Sequence, residues 1–126
     1  MPFALGTDTA GSGRVPAGLN NIVGLKPTCG WLSTRGVFPA CRSLDCVSVF
    51  ALTVDDAAAV LAVAEGSDAA DDYSAFRPGP AALPAPLRVG VPRQPVLDAD
   101  QGYAAAWQQA LRQLRALGAT LVELDF

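Results

Sequence analysis

Gly6-Thr7-Asp8-Thr9-Ala10-Gly11-Ser12-Gly13-Arg14-Val15-Pro16 is the stretch on which the reading of this 126-residue chain turns. Its small residues around one serine let backbone N–H groups converge without side-chain obstruction, which is what holding an oxyanion requires. Ser12 is the natural nucleophile of such a loop. A glycine-rich turn can also cradle phosphate, but the GxxxxGK[ST] pattern is absent, and Pro16 stands where GxGxxG needs its last glycine. Ala10 occupies the first glycine position of a GxSxG elbow. Spacing alone leaves two readings open, a tight structural turn and a catalytic loop.

The chain holds no histidine, so a Ser-His-Asp arrangement cannot be built from it. A lysine whose pKa is depressed by burial or by a nearby positive charge is the usual substitute base. Asp8 and Arg14 bracket Ser12. A carboxylate beside a guanidinium suits a bidentate pair that shapes the loop behind the chemistry, the alternative being an exposed pair of little energetic value.

Continuing through Ala17-Gly18-Leu19-Asn20-Asn21-Ile22-Val23-Gly24-Leu25-Lys26-Pro27-Thr28, the segment resembles the amidase-signature core, G-[ST]-D-x-[GA]-G-S-[IG]-R-x-P followed by V-G-L-K-P-T. Both halves match in order and spacing. The resemblance implies an amide hydrolase with a Ser-cisSer-Lys triad. Its nucleophile matches Ser12, and its oxyanion hole matches the backbone N–H groups of Thr9, Ala10 and Gly11. Ala10 stands where many members have glycine, a mild departure because a backbone donor needs no particular side chain.

Within the family, Thr9-Ala10-Gly11-Ser12-Gly13-Arg14 and the stretch from Cys29 to Thr53 are most similar to the allophanate hydrolases. That likeness implies hydrolysis of allophanate, a small anionic amide, in urea degradation downstream of a urea carboxylase. It implies no cofactor and no metal, and a homodimer is possible. A generic amidase or an amidotransferase A-type subunit is the alternative within the family. A non-catalytic truncated fragment is the alternative outside it.

In the family the bridging serine and the lysine base lie farther before the nucleophile loop than Met1 allows. The chain is therefore expected to be an internal piece that lacks both and is inactive alone, with further substrate-binding residues beyond Phe126. Lys26 matches the structural lysine of V-G-L-K-P-T and is not expected to be the base. Ser33, Ser43 and Ser48 follow the nucleophile and read as hydroxyls bonded to backbone.

Composition fits this frame. Half of the residues are hydrophobic and 17% are charged, enough apolar surface to offset chain entropy. The net charge is −3, with eight arginines and one lysine scattered along the chain, which argues against nucleic acid as a partner. No run reaches the roughly 18 apolar residues that would cross a bilayer, so no membrane partner is expected and the cytoplasm is the default location. The three cysteines form no CxxC pair and read as small hydrophobes in a reducing compartment.

The expected fold is α/β, a partial amidase-signature fold with a mixed sheet flanked by helices and a loop-rich N-terminal half, residues 1–126 being part of one domain. Residues 1–48 read as the glycine-rich core with short strands, and 49–53 as a buried strand. Residues 55–66 read as a helix capped by Thr53 or Asp55, opened by the acidic Asp55 and Asp56 and stopped by Gly66. Residues 67–87 read as a Pro/Ala/Asp-rich loop in which Asp68, Asp71 and Asp72 are solvated. Residues 88–126 read as a βαβ unit whose helix, Asp98 to Leu117, packs through Ala104, Trp107, Leu111, Leu114 and Leu117.

Overall fold

A computed structural model describes residues 2–77, 79, 84–95 and 101–125. The chain forms two compact units, Met1–Pro78 and Gly79–Phe126.

In the first unit, β1 (Phe3–Asp8), α1 (Val15–Leu19), β2 (Val23–Leu25), β3 (Cys46–Ala51) and α2 (Val54–Ala64) follow in that order. β3 is the centre of a three-stranded antiparallel sheet ordered β1-β3-β2, with Asp8 opposite Cys46, Gly6 opposite Ser48 and Leu25 opposite Val49. Its middle position explains why Ser48 and Val49, which point to opposite faces, are both fully buried. Val49, Ala51 and Ala57 form the core, with Val23, Leu25 and Val60 packed around them. Burying a valine such as Val49 stabilises by about 1.5–3 kcal/mol relative to exposure. The small Ala57 lets α2 lie close against the sheet.

α2 starts where its chemistry predicts. The Thr53 hydroxyl accepts from the Asp56 N–H at 3.1 Å, and Asp55 and Asp56 place negative charge in the first turn, where the helix dipole favours it. Its end differs from expectation. The helix closes at Ala64, Glu65 is already extended, and the Gly66 N–H donates to the Trp31 carbonyl instead of capping the helix. The N-terminal half is also more regular than its composition suggests, because a six-residue β1 and the short α1 lie within it. Pairing with β3 imposes β1 on a glycine- and threonine-containing stretch of modest strand propensity.

The second unit is a βαβ arrangement as its pattern predicts: β4 (Arg88–Pro92), α3 (Gln101–Ala116) and β5 (Thr120–Leu124), with β4 and β5 parallel and Arg88 opposite Thr120. The two strand directions are thus divided between an antiparallel sheet and a parallel pair. The expected helix start at Asp98 lies outside the described residues. Ala104, Trp107, Leu111 and Leu114 are half-buried along one face of α3. Leu117 is 78% exposed, because the helix has ended at Ala116 and Gly118, at φ +83°, turns the chain toward β5.

Candidate active site

The loop between β1 and α1 carries Ser12. β1 delivers Asp8 to its end fully buried, and the Asp8 carboxylate organises the turn that follows. Oδ1 accepts from the Gly11 N–H at 2.8 Å and from Arg14 Nη2 at 3.1 Å, while Oδ2 accepts from the Gly13 N–H at 3.1 Å and from Arg14 Nε at 2.9 Å. Asp8 and Arg14 therefore form the bidentate pair their spacing suggests. The Arg14 hydrogen bond, aided by those of Gly11 and Gly13, holds the Asp8 carboxyl well below the ordinary carboxylate range, against the desolvation that would raise it.

The turn closes with the Arg14 and Val15 N–H groups donating to the Gly11 carbonyl at 2.9 and 2.8 Å. Gly11 and Gly13 are buried and Ser12 between them is exposed, so the turn presents the serine while its neighbours pack inward. Two glycines make this approach possible. A Cβ on Gly13 would lie 2.7 Å from both Cβ and Oγ of Ser48 on β3, and a Cβ on Gly24 of β2 would lie 2.4 Å from the Gly13 carbonyl oxygen. The loop therefore rests directly on β2 and β3.

Thr9 is fixed from the other side. Its hydroxyl donates to Asp45, whose carboxylate also accepts from the Ala40 N–H at 3.0 Å and the Cys41 N–H at 3.0 Å. The Thr9 hydroxyl, followed by the Cys41 amide, lowers the Asp45 pKa. The amides of Thr9, Ala10 and Ser12 donate to no acceptor among the described residues, whereas the Gly11 amide is committed to Asp8. Of the expected oxyanion donors, Thr9 and Ala10 are thus open and Gly11 is not, because the buried carboxylate competes for it. The Ser12 amide joins the open pair. An open depression of about 430 Å³ lies over Ala10, Gly11, Ser12, Val15 and Pro16.

The remaining candidates separate from this loop. Lys26 donates to Cys29 Sγ at 3.3 Å. Ser33 donates to Asp68 at 2.7 Å, and the Ser43 hydroxyl lies 3.6 Å from Cys41 Sγ. The buried Ser48 hydroxyl has no partner among the described residues. Ser33 keeps a backbone bond as expected, accepting from the Arg35 N–H at 3.2 Å beside its carboxylate partners, whereas Ser43 meets a thiol and Ser48 lies against the Ser12 loop with no backbone bond among the described residues. Asp68 and Asp71 are likewise not simply solvated: Asp71 accepts from the Thr34 N–H at 2.7 Å and both aspartates bind Ser33, which ties residues 68–71 to the loop after β2. Trp31 packs edge-on against Phe76, with ring centroids 5.5 Å apart, a structural contact.

Asp45 and Gly24 shape the loop without being among the residues expected to do so. Both had a signal. Asp45 immediately precedes β3, so the Asp8–Cys46 register sets it across from Thr9. A glycine inside a strand marks close backbone approach.

The profile of the family described as Amidase matches residues 1–126. The urea amidolyase of Lachancea kluyveri is 44% identical over all of this chain, which spans 7% of that relative. The A-type subunit of the glutamyl-tRNA(Gln) amidotransferase of Myxococcus xanthus is 48% identical over 97% of the chain, corresponding to 26% of that relative. Among solved structures, Kluyveromyces lactis allophanate hydrolase superposes with a TM-score of 0.91 at 45% identity, covering 100% of this chain and 21% of that one. The chain is therefore similar to a short stretch of much longer proteins.

Proposed function

The chain belongs to the amidase family, and from that premise we propose that it carries the nucleophile segment of an amide hydrolase whose substrate is allophanate, with Ser12 as the attacking group. The observation that carries this reading is the exposed Ser12 on a turn shaped by a fully buried carboxylate, beside open backbone amides. In the proposed reaction, Ser12 Oγ adds to the amide carbonyl as its proton passes to a base. The Thr9, Ala10 and Ser12 amides stabilise the resulting oxyanion. The C–N bond breaks, ammonia leaves with a proton returned from the base, and water then releases the acyl group from Ser12. Donors fixed in advance need no reorganisation as charge develops, which is why a rigid turn suits this role.

The base is taken to be a group other than those in residues 1–126, in a single domain of which these residues form part. They contain no histidine, and their one lysine, Lys26, is engaged with Cys29. The allophanate reading draws support from the similarity to urea amidolyase and allophanate hydrolase. It brings with it a functional link to a urea carboxylase, whose product would be the substrate. The 48% identity to an amidotransferase component favours a second reading, in which the amide donor differs.

The test is ammonia release by the full protein from allophanate, from simple amides and from glutamine, beside Ser12→Ala. Release from allophanate that vanishes in the variant, with an unchanged melting temperature because Ser12 is exposed, is the expected result. Release from glutamine or simple amides alone would assign the segment to the second reading, and turnover by Ser12→Ala would remove Ser12 as the nucleophile.

A further inference from the structure

Apart from the depression over Ser12, the first unit contains a polar cavity of about 120 Å³, lined by Thr34, Arg35, Arg42, Asp45, Asp71 and Asp72 among others. Its charged groups are unequally occupied. Asp45 is filled by Thr9, Ala40 and Cys41, and Asp71 by the Thr34 amide and hydroxyl and by the Tyr73 amide, at 2.7, 3.0 and 3.0 Å. Arg42 lies over the Tyr73 ring at 5.8 Å, a contact that leaves the N–H edges of its guanidinium open. Neither Arg35 nor Arg42 makes an ion pair or a side-chain hydrogen bond among the described residues, and Asp72 accepts none.

The cavity thus presents two guanidinium groups without a hydrogen-bonded partner, Arg35 within electrostatic reach of Asp68 and Arg42 of Asp45, and one carboxylate that accepts no hydrogen bond, in a space that admits a molecule of a few heavy atoms. A guanidinium fork matches the planar geometry of a carboxylate, whereas a free aspartate accepts from N–H groups. We propose that this cavity binds a small carboxylate that also bears amide N–H groups, its carboxylate held by Arg35 and Arg42 and its N–H groups directed to Asp72. A simple inorganic anion would leave Asp72 unmatched and opposed. A neutral amide would leave the arginines unmatched.

The cavity is joined to the nucleophile loop by one residue. Asp45 lines the cavity and its carboxylate holds the Thr9 hydroxyl, so a ligand that draws Arg42 or Asp45 inward acts on the position of the Thr9 amide. In its ligand class the inference rests on the functional reading above, since allophanate is itself an amide-bearing carboxylate. The ligand is either the substrate or a separate effector of the same chemistry.

The probe is malonamate, a carboxylate with a primary amide, titrated calorimetrically into the full protein carrying Ser12→Ala so that no turnover occurs. Malonamide, its neutral counterpart, is the control. Malonamate is expected to bind at least about tenfold more tightly than malonamide, and Arg35→Gln or Arg42→Gln to abolish that preference, while Arg42→Lys restores part of it. Asp72→Asn, at an exposed position, weakens binding without touching the carboxylate end and serves if an arginine variant fails to fold. Unchanged malonamate affinity in folded Arg35→Gln, Arg42→Gln and Asp72→Asn proteins would overturn the site. In the wild-type enzyme, malonamate that raises KM alone, in an effect that Arg35→Gln and Arg42→Gln remove, marks the cavity as one the substrate shares, and malonamate that alters kcat marks an effector acting through Thr9. Arginine-dependent binding by a protein that does not hydrolyse allophanate would keep the site and reject the functional reading.

Discussion

Gly24→Ala tests the placement of the Ser12 loop without touching the group proposed to react. The added methyl would lie 2.4 Å from the Gly13 carbonyl oxygen and 2.6 Å from Ala17 Cβ. The carbonyl belongs to backbone one residue beyond Ser12, so it cannot rotate away as a side chain would. Restoring ordinary contact requires the loop or β2 to move by about 1 Å, and a misplacement of that size costs roughly 10²-fold in rate. That corresponds to about 2.7 kcal/mol of barrier. Overpacking should also destabilise the fold by about 1–3 kcal/mol. Steady-state ammonia release and urea denaturation of the full protein read the two effects separately. The expected pattern is a lowered kcat with little change in KM. Adding Ala17→Gly removes the 2.6 Å contact but leaves the 2.4 Å one, so activity should stay low. A folded Gly24→Ala enzyme with kcat within about twofold of wild type, or full recovery through Ala17→Gly, would refute the packing of the loop on β2.

Three further outcomes follow from the same geometry. Asp8→Asn removes the charge that Arg14 and the two glycine amides surround, and should lower both activity and stability at neutral pH. Because the folded Asp8 pKa is depressed, its contribution is present above the unfolded value near 4 and fades as pH falls below it, so the stability gap between wild type and variant should narrow in acid denaturation below about pH 4. Thr9→Val deletes the hydroxyl that Asp45 holds and should reduce kcat about tenfold, while Thr9→Ser retains the bond and most of the activity; equal activity in all three would show that Asp45 does not position the loop. Thiol labelling should modify the exposed Cys41 first and Cys29 more slowly. Cys46, which is buried and whose thiol pKa is pushed up by desolvation, should react only on unfolding, and its early labelling would contradict its place in β3.

The sequence by itself determined the features that depend on local chemistry and short spacing. The small residues around Ser12, the Asp8–Arg14 spacing, the Thr53 cap with its acidic first turn, and the strand-helix-strand order from Arg88 onward are all consequences of neighbours within a few turns of chain. Family membership is legible for the same reason, since it rests on one continuous run of residues. What only the tertiary structure decided depends on residues distant in sequence. The β1-β3 register brings Asp45 to Thr9 across 36 positions, and the β2-β3 pairing sets Gly24 beneath Gly13. Competition for hydrogen bonds was equally invisible, because the turn's own geometry turns the Gly11 amide to the Asp8 carboxylate while Thr9 and Ala10 stay open. A linear pattern can say which residues carry donors. Only the folded chain fixes where each donor points and which acceptor has already taken it.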